Sequence, residues 1–367
     1  MMMKTRLILV GGFLGAGKTT LLWEAAKRLS AGGKRIGLIT NDQAPDLVDS
    51  ALLERTGATV QEVAGSCFCC NFAGLINSSR NLAVNERVDI IIAEPVGSCT
   101  DLSATIVQPL KDKHKKEFML APFTVLADPI RFREILAHDP GSHLHESAAY
   151  IFRKQLEEAD LIVLNKTDLL KPAELKQLVA LAKREFPGTD ILCVSAATGT
   201  GVDKWLDLVL SGTKSGQKIT DVDYNTYAEG EAVLGWLNAV VKLSAKGKTN
   251  WAAVCRKVIA GLQAKFKKKQ TEVAHVKVFL STSSGFVVAN LTSANGIISV
   301  RGAIKGSPVK AEMIVNARAQ MLPDELEKLV RRIIAGMATG SIKTIISHLQ
   351  SLSPGRPRPT HRYPSVV

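Results

Sequence analysis

Short apolar runs alternate with amphipathic stretches over the first two-thirds of the chain. Runs at residues 5–10, 35–40, 88–94, 123–127, 161–165 and 191–194 are rich in Ile, Val and Leu with little polar alternation. That pattern predicts strands buried on both faces. Amphipathic segments between them, such as 20–30 and 173–186, predict helices. Strand followed by helix, repeated, predicts an α/β fold: a mainly parallel sheet with helices on both faces. Further along the pattern changes. Residues 233–244, 275–280, 285–291 and 309–318 predict strands, and 251–269 and 323–338 predict helices. The last helix opens with Pro323 and carries acids in its first turn, as helix starts do. This second part predicts a smaller α+β domain, with a sheet on one side and helices on the other.

The stretch 211–218, Ser-Gly-Thr-Lys-Ser-Gly-Gln-Lys, has the composition of a linker. The expected organisation is a nucleotide-binding domain over 1–212, a linker over 213–222 and the α+β domain over 223–340. A basic tail, helical or disordered, follows over 341–367, rich in Pro and Arg from Ser351 onward. A chain of 367 residues is long enough for two cores. The apolar start runs into a glycine-rich loop and not into a cleavage site, and no stretch of about 18 apolar residues appears. The cytoplasm is therefore the expected compartment, with no membrane association.

Gly12-Phe-Leu-Gly-Ala-Gly-Lys18-Thr19 matches G-x-x-x-x-G-K-[ST] between a predicted strand and a predicted helix. Gly12, Gly15 and Gly17 allow backbone N–H groups to turn inward around phosphate oxygens. The helix start adds a field favourable to anions. Lys18 supplies a charge to the terminal phosphates, and Thr19 offers its hydroxyl to Mg²⁺. Ala16 and Thr20 belong to the same nucleotide-binding stretch.

The strand at 161–165 ends in Asn165-Lys166-Thr167-Asp168, an N-K-x-D element. A carboxylate at Asp168 accepts two hydrogen bonds from guanine, and adenine has no matching pair of donors. Asn165 would tie this loop to the phosphate loop, and the Lys166 stem would cover the base. Ser195 and Ala196, after the next strand, suit a backbone contact to guanine O6. GTP is therefore preferred to ATP. A kinase using ATP would share the phosphate loop but would leave Asn165–Asp168 unexplained.

Glu94 ends a buried strand, where a carboxylate approaches Mg²⁺, and Gly97 follows with an N–H suited to the γ-phosphate. Asp42 after Thr40 and Asn41 reads equally as a second carboxylate for Mg²⁺ and as turn chemistry. The expected catalytic set is Lys18, Thr19, Glu94 and Asp42. Asp128 reads as a turn and helix-cap residue. No arginine stands out as a built-in finger, so turnover is expected to be slow without a client.

Three of the six cysteines crowd into Cys67-Phe-Cys69-Cys70. As thiolates they form a soft, compact donor set for Zn²⁺, Cu⁺ or Co²⁺. Cys99 is within reach of the same loop, but it reads first as a small buried residue. Cys193 and Cys255 read as core. His138, His143 and His145 form a second candidate patch, equally readable as a solvated loop.

These residues carry a resemblance to the CobW-like family of P-loop GTPases, kin to UreG, HypB and MeaB. The matching stretches are 12–20, Cys67-Phe-Cys-Cys70, Glu94-Pro-Val-Gly97, and Asn165–Asp168 with the preceding Lys154-Gln-Leu-Glu-Glu-Ala-Asp160. The resemblance covers about residues 4–210 and implies a metal-inserting GTPase with a small C-terminal domain, commonly a homodimer. GTP and magnesium are the implied cofactors, with zinc or cobalt at the cysteines. The implied partner is a client metalloenzyme, or a corrinoid protein that the GTPase gates without moving metal. Many relatives carry a Gly-Glu pair after the second strand; here Ala44-Pro45 stands in its place.

The net charge is +13, and residues 242–269 contain many cations and no acid. A solvated basic face and a docking face for an acidic client both fit. Nucleic acid fits less well, because the cations are not interleaved with stacking aromatics.

Overall fold

The computed structural model describes residues 4–43, 47–137, 145–338 and 341–367. The chain forms two compact units. The first comprises Met1–Gln43, Leu53–Gly230 and Arg356–Val367; the second comprises Ala44–Leu52 and Glu231–Gly355.

The first unit is built on a parallel sheet. Its strands are β1 (Thr5–Gly12), β2 (Ile36–Asn41), β3 (Thr59–Val63), β4 (Ile90–Glu94), β5 (Phe118–Leu120), β6 (Thr124–Ala127), β7 (Leu161–Leu164) and β8 (Asp190–Cys193). The order is β3-β2-β4-β1-β6-β7-β8, with β5 also on β1. Every pairing is parallel. β1, β4 and β7 are buried on both faces, which is why they read as continuous apolar runs. β3 and β5 escaped that reading. β3 is a half-buried edge strand carrying Gln61 and Glu62, and β5 has three residues.

The helices of this part of the chain are α1 (Lys18–Ala31), α2 (Val48–Leu53), α3 (Phe72–Arg80), α4 (Gln108–Lys113), α5 (Pro129–Leu136), α6 (Glu146–Glu157), α7 (Pro172–Glu185), α8 (Val202–Ser211) and α9 (Tyr224–Ala232). α2 and α9 run across the division between the units. One core layer joins Ile8 and Val10 of β1 to Leu21, Leu22, Ala25 and Ala26 of α1, and to Trp205 and Val209 of α8. Trp205 is fully buried and its indole N–H donates to Thr124 Oγ1 at 3.2 Å, so its polar atom is satisfied. A parallel sheet points all its C-terminal strand ends one way, and that edge is where such folds place their sites.

The second unit is an antiparallel sheet in the order β12-β11-β10-β13-β9-β14. Its strands are β9 (Gly235–Ala245), β10 (Val273–Thr282), β11 (Gly285–Leu291), β12 (Ser299–Ile304), β13 (Lys310–Ala319) and β14 (Ile342–Leu352). The helices α10 (Trp251–Lys269) and α11 (Pro323–Ala335) pack on one face. Leu237, Val241, Val276, Val278, Met313 and Val315 meet Trp251, Val258, Leu262 and Phe266 of α10 and Leu326 and Val330 of α11. Each such aliphatic side chain contributes roughly 1.5–3 kcal/mol when fully buried. Cys255 lies in this core, and burial pushes its thiol up to about 12.

In two places the folded chain is divided otherwise than the sequence suggests. Residues 47–52 come only a few positions after β2, yet they belong to the second unit. There Asn316 Oδ1 accepts from the Val48 N–H at 2.8 Å, and Lys277 Nζ pairs with both Asp49 carboxylate oxygens at 2.5 and 2.7 Å. The expected helical or disordered tail over 341–367 is instead an edge strand and a packed segment. β14 pairs antiparallel with β9, and Arg356–Val367 belongs to the first unit. The partners of both pieces lie far away in sequence, so local composition could not reveal them. No helix among the described residues is long and apolar enough to cross a membrane.

Candidate nucleotide and metal site

The turn from β1 into α1 depends on glycine. Gly12, Gly15 and Gly17 have φ of 130°, 81° and 95°, values that side chains with a Cβ rarely adopt. A Cβ on Gly12 would meet Leu126 O at 2.4 Å, and one on Gly17 would meet Asn165 Nδ2 at 2.3 Å. Lys18 Nζ donates to Gly12 O at 2.7 Å and stands 3.9 Å from a Glu94 carboxylate oxygen. The Thr19 hydroxyl donates to the same carboxylate at 3.2–3.3 Å. All three side chains are buried. β1 and β4 are neighbours in the sheet, so their C-terminal ends bring Lys18, Thr19 and Glu94 together. Ala16 and Thr20 flank them at the start of α1.

Asn165 holds three loops. Its Nδ2 donates to Ala16 O at 2.8 Å, and its Oδ1 accepts from Ala196 N at 3.0 Å. Asp168 Oδ1 accepts from Ser195 Oγ at 2.5 Å. Lys166 adopts a left-handed backbone, and its Nζ pairs with Asp128 Oδ2 at 2.6 Å. Asp128 also caps α5, accepting from Ile130 N and Arg131 N. Asn165, Lys166, Asp168, Ser195 and Ala196 thus share one corner beside the phosphate loop.

Asp42 is buried at the end of β2, and its Oδ1 accepts from Gln43 N at 2.7 Å. The preceding residue, Asn41, does more than turn chemistry suggests. Its Nδ2 donates to Val63 O at 2.7 Å and Ser66 O at 2.8 Å, and its Oδ1 accepts from Phe68 N at 2.8 Å. Asn41 therefore ties the end of β2 to the cysteine loop. That loop is a tight turn: Cys70 N and Asn71 N both donate to Cys67 O. Asn71 then caps α3 by accepting from Gly74 N. The thiols stand at the start of α3, where the helix field favours thiolate.

Three thiols, Cys67, Cys69 and Cys99, place their sulfurs within 4.8 Å of one another, all buried. Cys70, half-buried, adds a fourth at 3.3 Å from the Cys67 sulfur and 3.9 Å from that of Cys69. The Cys67 and Cys69 sulfurs are 2.9 Å apart. A zinc–sulfur bond of about 2.3 Å implies a tetrahedral S···S edge of about 3.8 Å, within the range these spacings span. Cys99 is buried, as its sequence context suggests, and it also joins the cluster. Cys67 is held well below the ordinary thiol range, first by its contact with Cys69 and then by those with Cys70 and Cys99. Cys69 and Cys70 are pushed up, each first by its contact with Cys67.

The loop from Glu94 to Cys99 connects the two halves of the site. A Cβ on Gly97 would lie 3.0 Å from Lys18 Nζ, so this residue sits over the phosphate loop. Two residues on is Cys99. Buried Gln155 of α6 locks the stretch, its Nε2 donating to Gly97 O at 3.0 Å and Cys99 O at 2.7 Å. Sequence reasoning gave no site role to Gln155 or Asn41, since a lone amide carries no spacing signal. His145 caps α6, with Nδ1 2.6 Å from Ser147 Oγ. His138 and His143 lie outside the described residues, as do Ala44, Pro45 and Asp46.

The family model described as "CobW/HypB/UreG, nucleotide-binding domain" matches residues 6–192. The zinc chaperone CobW of Sinorhizobium sp is 32% identical over 186 residues, covering 46% of this chain and 52% of that protein. The zinc chaperone YeiR of Escherichia coli K12 is 31% identical over 175 residues, covering 46% of this chain and 48% of that protein. A crystal structure of the hydrogenase maturation factor HypB from Archaeoglobus fulgidus aligns with a TM-score of 0.40 and 19% identity, over 57% of this chain and 91% of that one. The chain spans about half the length of these two curated relatives. With its glycine-rich loop between β1 and α1, and a family match over just more than half its residues, the chain belongs to the CobW/HypB/UreG family of P-loop GTPases.

Proposed function

We propose that this protein binds and hydrolyses GTP and holds a zinc ion on Cys67, Cys69, Cys70 and Cys99 for delivery to a client metalloenzyme. One observation carries the reading. Two short stretches, at the C-terminal ends of β4 and β2, lead to the thiols. In the first, Glu94 and Gly97 border Lys18, and Cys99 follows two residues later. In the second, Asp42 adjoins Asn41, which grips the cysteine turn. A change of state at the γ-phosphate therefore alters the spacing of the sulfurs through hydrogen bonds already in place.

In this reading Asp168 accepts the guanine N–H donors, and the turn at Ser195 and Ala196, held by Asn165, closes the base corner. Gly12, Gly15, Ala16, Gly17, Lys18 and Thr20 surround the phosphates. Thr19 and Glu94 offer hard oxygen donors of the kind Mg²⁺ prefers, and Asp42 is a second carboxylate for its waters. The ion neutralises charge on the β- and γ-phosphates. Hydrolysis is slow until the client docks. The four-thiol set supports metal binding without the carboxylate that relatives carry at the position of Ala44-Pro45, so metal transfer is preferred to gating of a corrinoid enzyme by contacts alone.

Competition against a chromophoric zinc chelator tests this, with GTP, a non-hydrolysable analogue, or GDP present. Zinc affinity is expected to differ between the triphosphate and diphosphate states by about 5- to 150-fold, the usual range of coupling between sites. Affinity should rise with pH, because Cys69 and Cys70 hold protons that the metal has to displace. Replacing Cys67, Cys69, Cys70 and Cys99 by Ser should abolish the high-affinity site. Unchanged zinc affinity in that variant would overturn the assignment.

A further inference from the structure

We propose that Arg356–Val367 is the cover of the thiol cluster: a strap that retains the bound ion and has to be displaced before the ion can leave. This rests on the metal reading above and adds to it a barrier and its location.

The segment belongs to the same compact unit as the cysteines. Its backbone and side chains grip both loops that supply sulfur. On the cysteine turn, Arg358 N donates to Cys70 Sγ at 3.2 Å and Thr360 N donates to Cys69 O at 2.8 Å. The Thr360 hydroxyl donates to Cys70 O at 3.1 Å. His361 sets its ring edge-on to Phe72, with centroids 5.1 Å apart. Beyond Cys99, Arg362 Nε pairs with Asp101 Oδ2 at 2.7 Å and Tyr363 N donates to Ala104 O at 3.1 Å. The strap therefore staples one metal loop to the other.

Three features suit it to retention. Cys70 is the one thiol of the four that is not fully buried, and the strap donates a hydrogen bond to its sulfur. Such outer contacts orient metal ligands and strengthen their hold. Pro357, Pro359 and Pro364 keep the backbone extended before it docks, so little entropy is lost on closure. The anchor at Asp101 is a buried carboxylate with a left-handed backbone, φ 63°, whose other oxygen has no partner among the described residues. Its charge is met by Arg362 and by the Tyr224 hydroxyl at 2.7 Å.

The test compares zinc-loaded full chain with a chain ending at Gly355 and with full-length Arg362→Ala and Arg362→Lys. Zinc release to excess chromophoric chelator is followed by stopped flow. Release from the shortened chain is expected to be about 10- to 100-fold faster, the usual effect of losing contacts outside the ligand shell. Arg362→Ala should give part of that increase, and Arg362→Lys should recover some retention. A second readout needs no metal: alkylation of Cys70 by iodoacetamide, located by mass spectrometry, should speed up in the same order. If the shortened chain does not fold, the two Arg362 variants carry the comparison. Equal release and equal Cys70 labelling across all folded chains would overturn the strap. A full chain that takes up no zinc would overturn the metal reading instead, and Cys70 labelling would still decide whether the strap covers that sulfur.

Discussion

At the scale of single residues, the proposed guanine preference rests on Asp168. A carboxylate presents two acceptors, whereas Asn presents an acceptor and a donor. Asp168→Asn should weaken GTP binding by about 100-fold or more, the loss expected when charge-assisted hydrogen bonds worth about 1.5–3 kcal/mol each are removed. Xanthosine triphosphate, which offers an acceptor in place of the exocyclic amine, should bind the variant better than GTP does. Calorimetric titration with both nucleotides checks this, and an unchanged preference for GTP would show that selectivity lies elsewhere. Asp168 was legible because its neighbours stand at fixed local spacing. Cys99 read first as a buried residue, with membership of the cluster as the second reading: nothing within ten positions of it in sequence is a thiol. Its place in the cluster follows from the sheet order β3-β2-β4, which carries the turn after β3 and the loop after β4 to the same edge, with β2 between them.

Among elements, the cysteine turn owes its shape to a strand it does not belong to. Asn41 of β2 satisfies one N–H and two carbonyls in the turn and the end of β3. Asn41→Ala leaves these groups unpaired and should cost about 1–3 kcal/mol. The sulfurs would also lose their fixed spacing, so zinc affinity should fall by about tenfold. Thermal unfolding and the chelator competition measure the two effects separately; no change in either would mean that the turn holds itself. The parallel strands were readable as elements because both faces are buried and the apolar runs are unbroken. β14 was not, because it is an edge strand that alternates Ile and Leu with Lys, Thr, Ser and His, and its pairing with β9 is what makes it a strand.

For the whole molecule, each unit has its own core, and the nucleotide loop belongs to one of them. Ligand binding stabilises the state that binds, by about 2.7 kcal/mol at a hundred times the dissociation constant. Amide exchange with saturating GTP and Mg²⁺ should therefore slow by about a hundredfold in the most protected amides of β1, α1 and β4. Those in the core of β9, β10 and β13 should change far less. Equal slowing in both sheets would show that the units unfold as one. The separation of the two units was visible in the sequence as a change of hydrophobic period, but its boundaries were not. Residues 44–52 and 356–367 cross between the units in a way that chain order does not announce.

By itself the sequence determined the chemistry that depends on near neighbours. A glycine-rich loop, an N-K-x-D turn and a cysteine triplet each need their residues within a few positions of one another. Tertiary structure alone decided which distant residues complete them. Arg358 meets Cys70 across 288 positions, Val48 meets Asn316 across 268, and Gln155 reaches Cys99 across 56. Contacts of that span are set by the packing of strands and helices around a core, and a local pattern of polar and apolar residues carries no record of them.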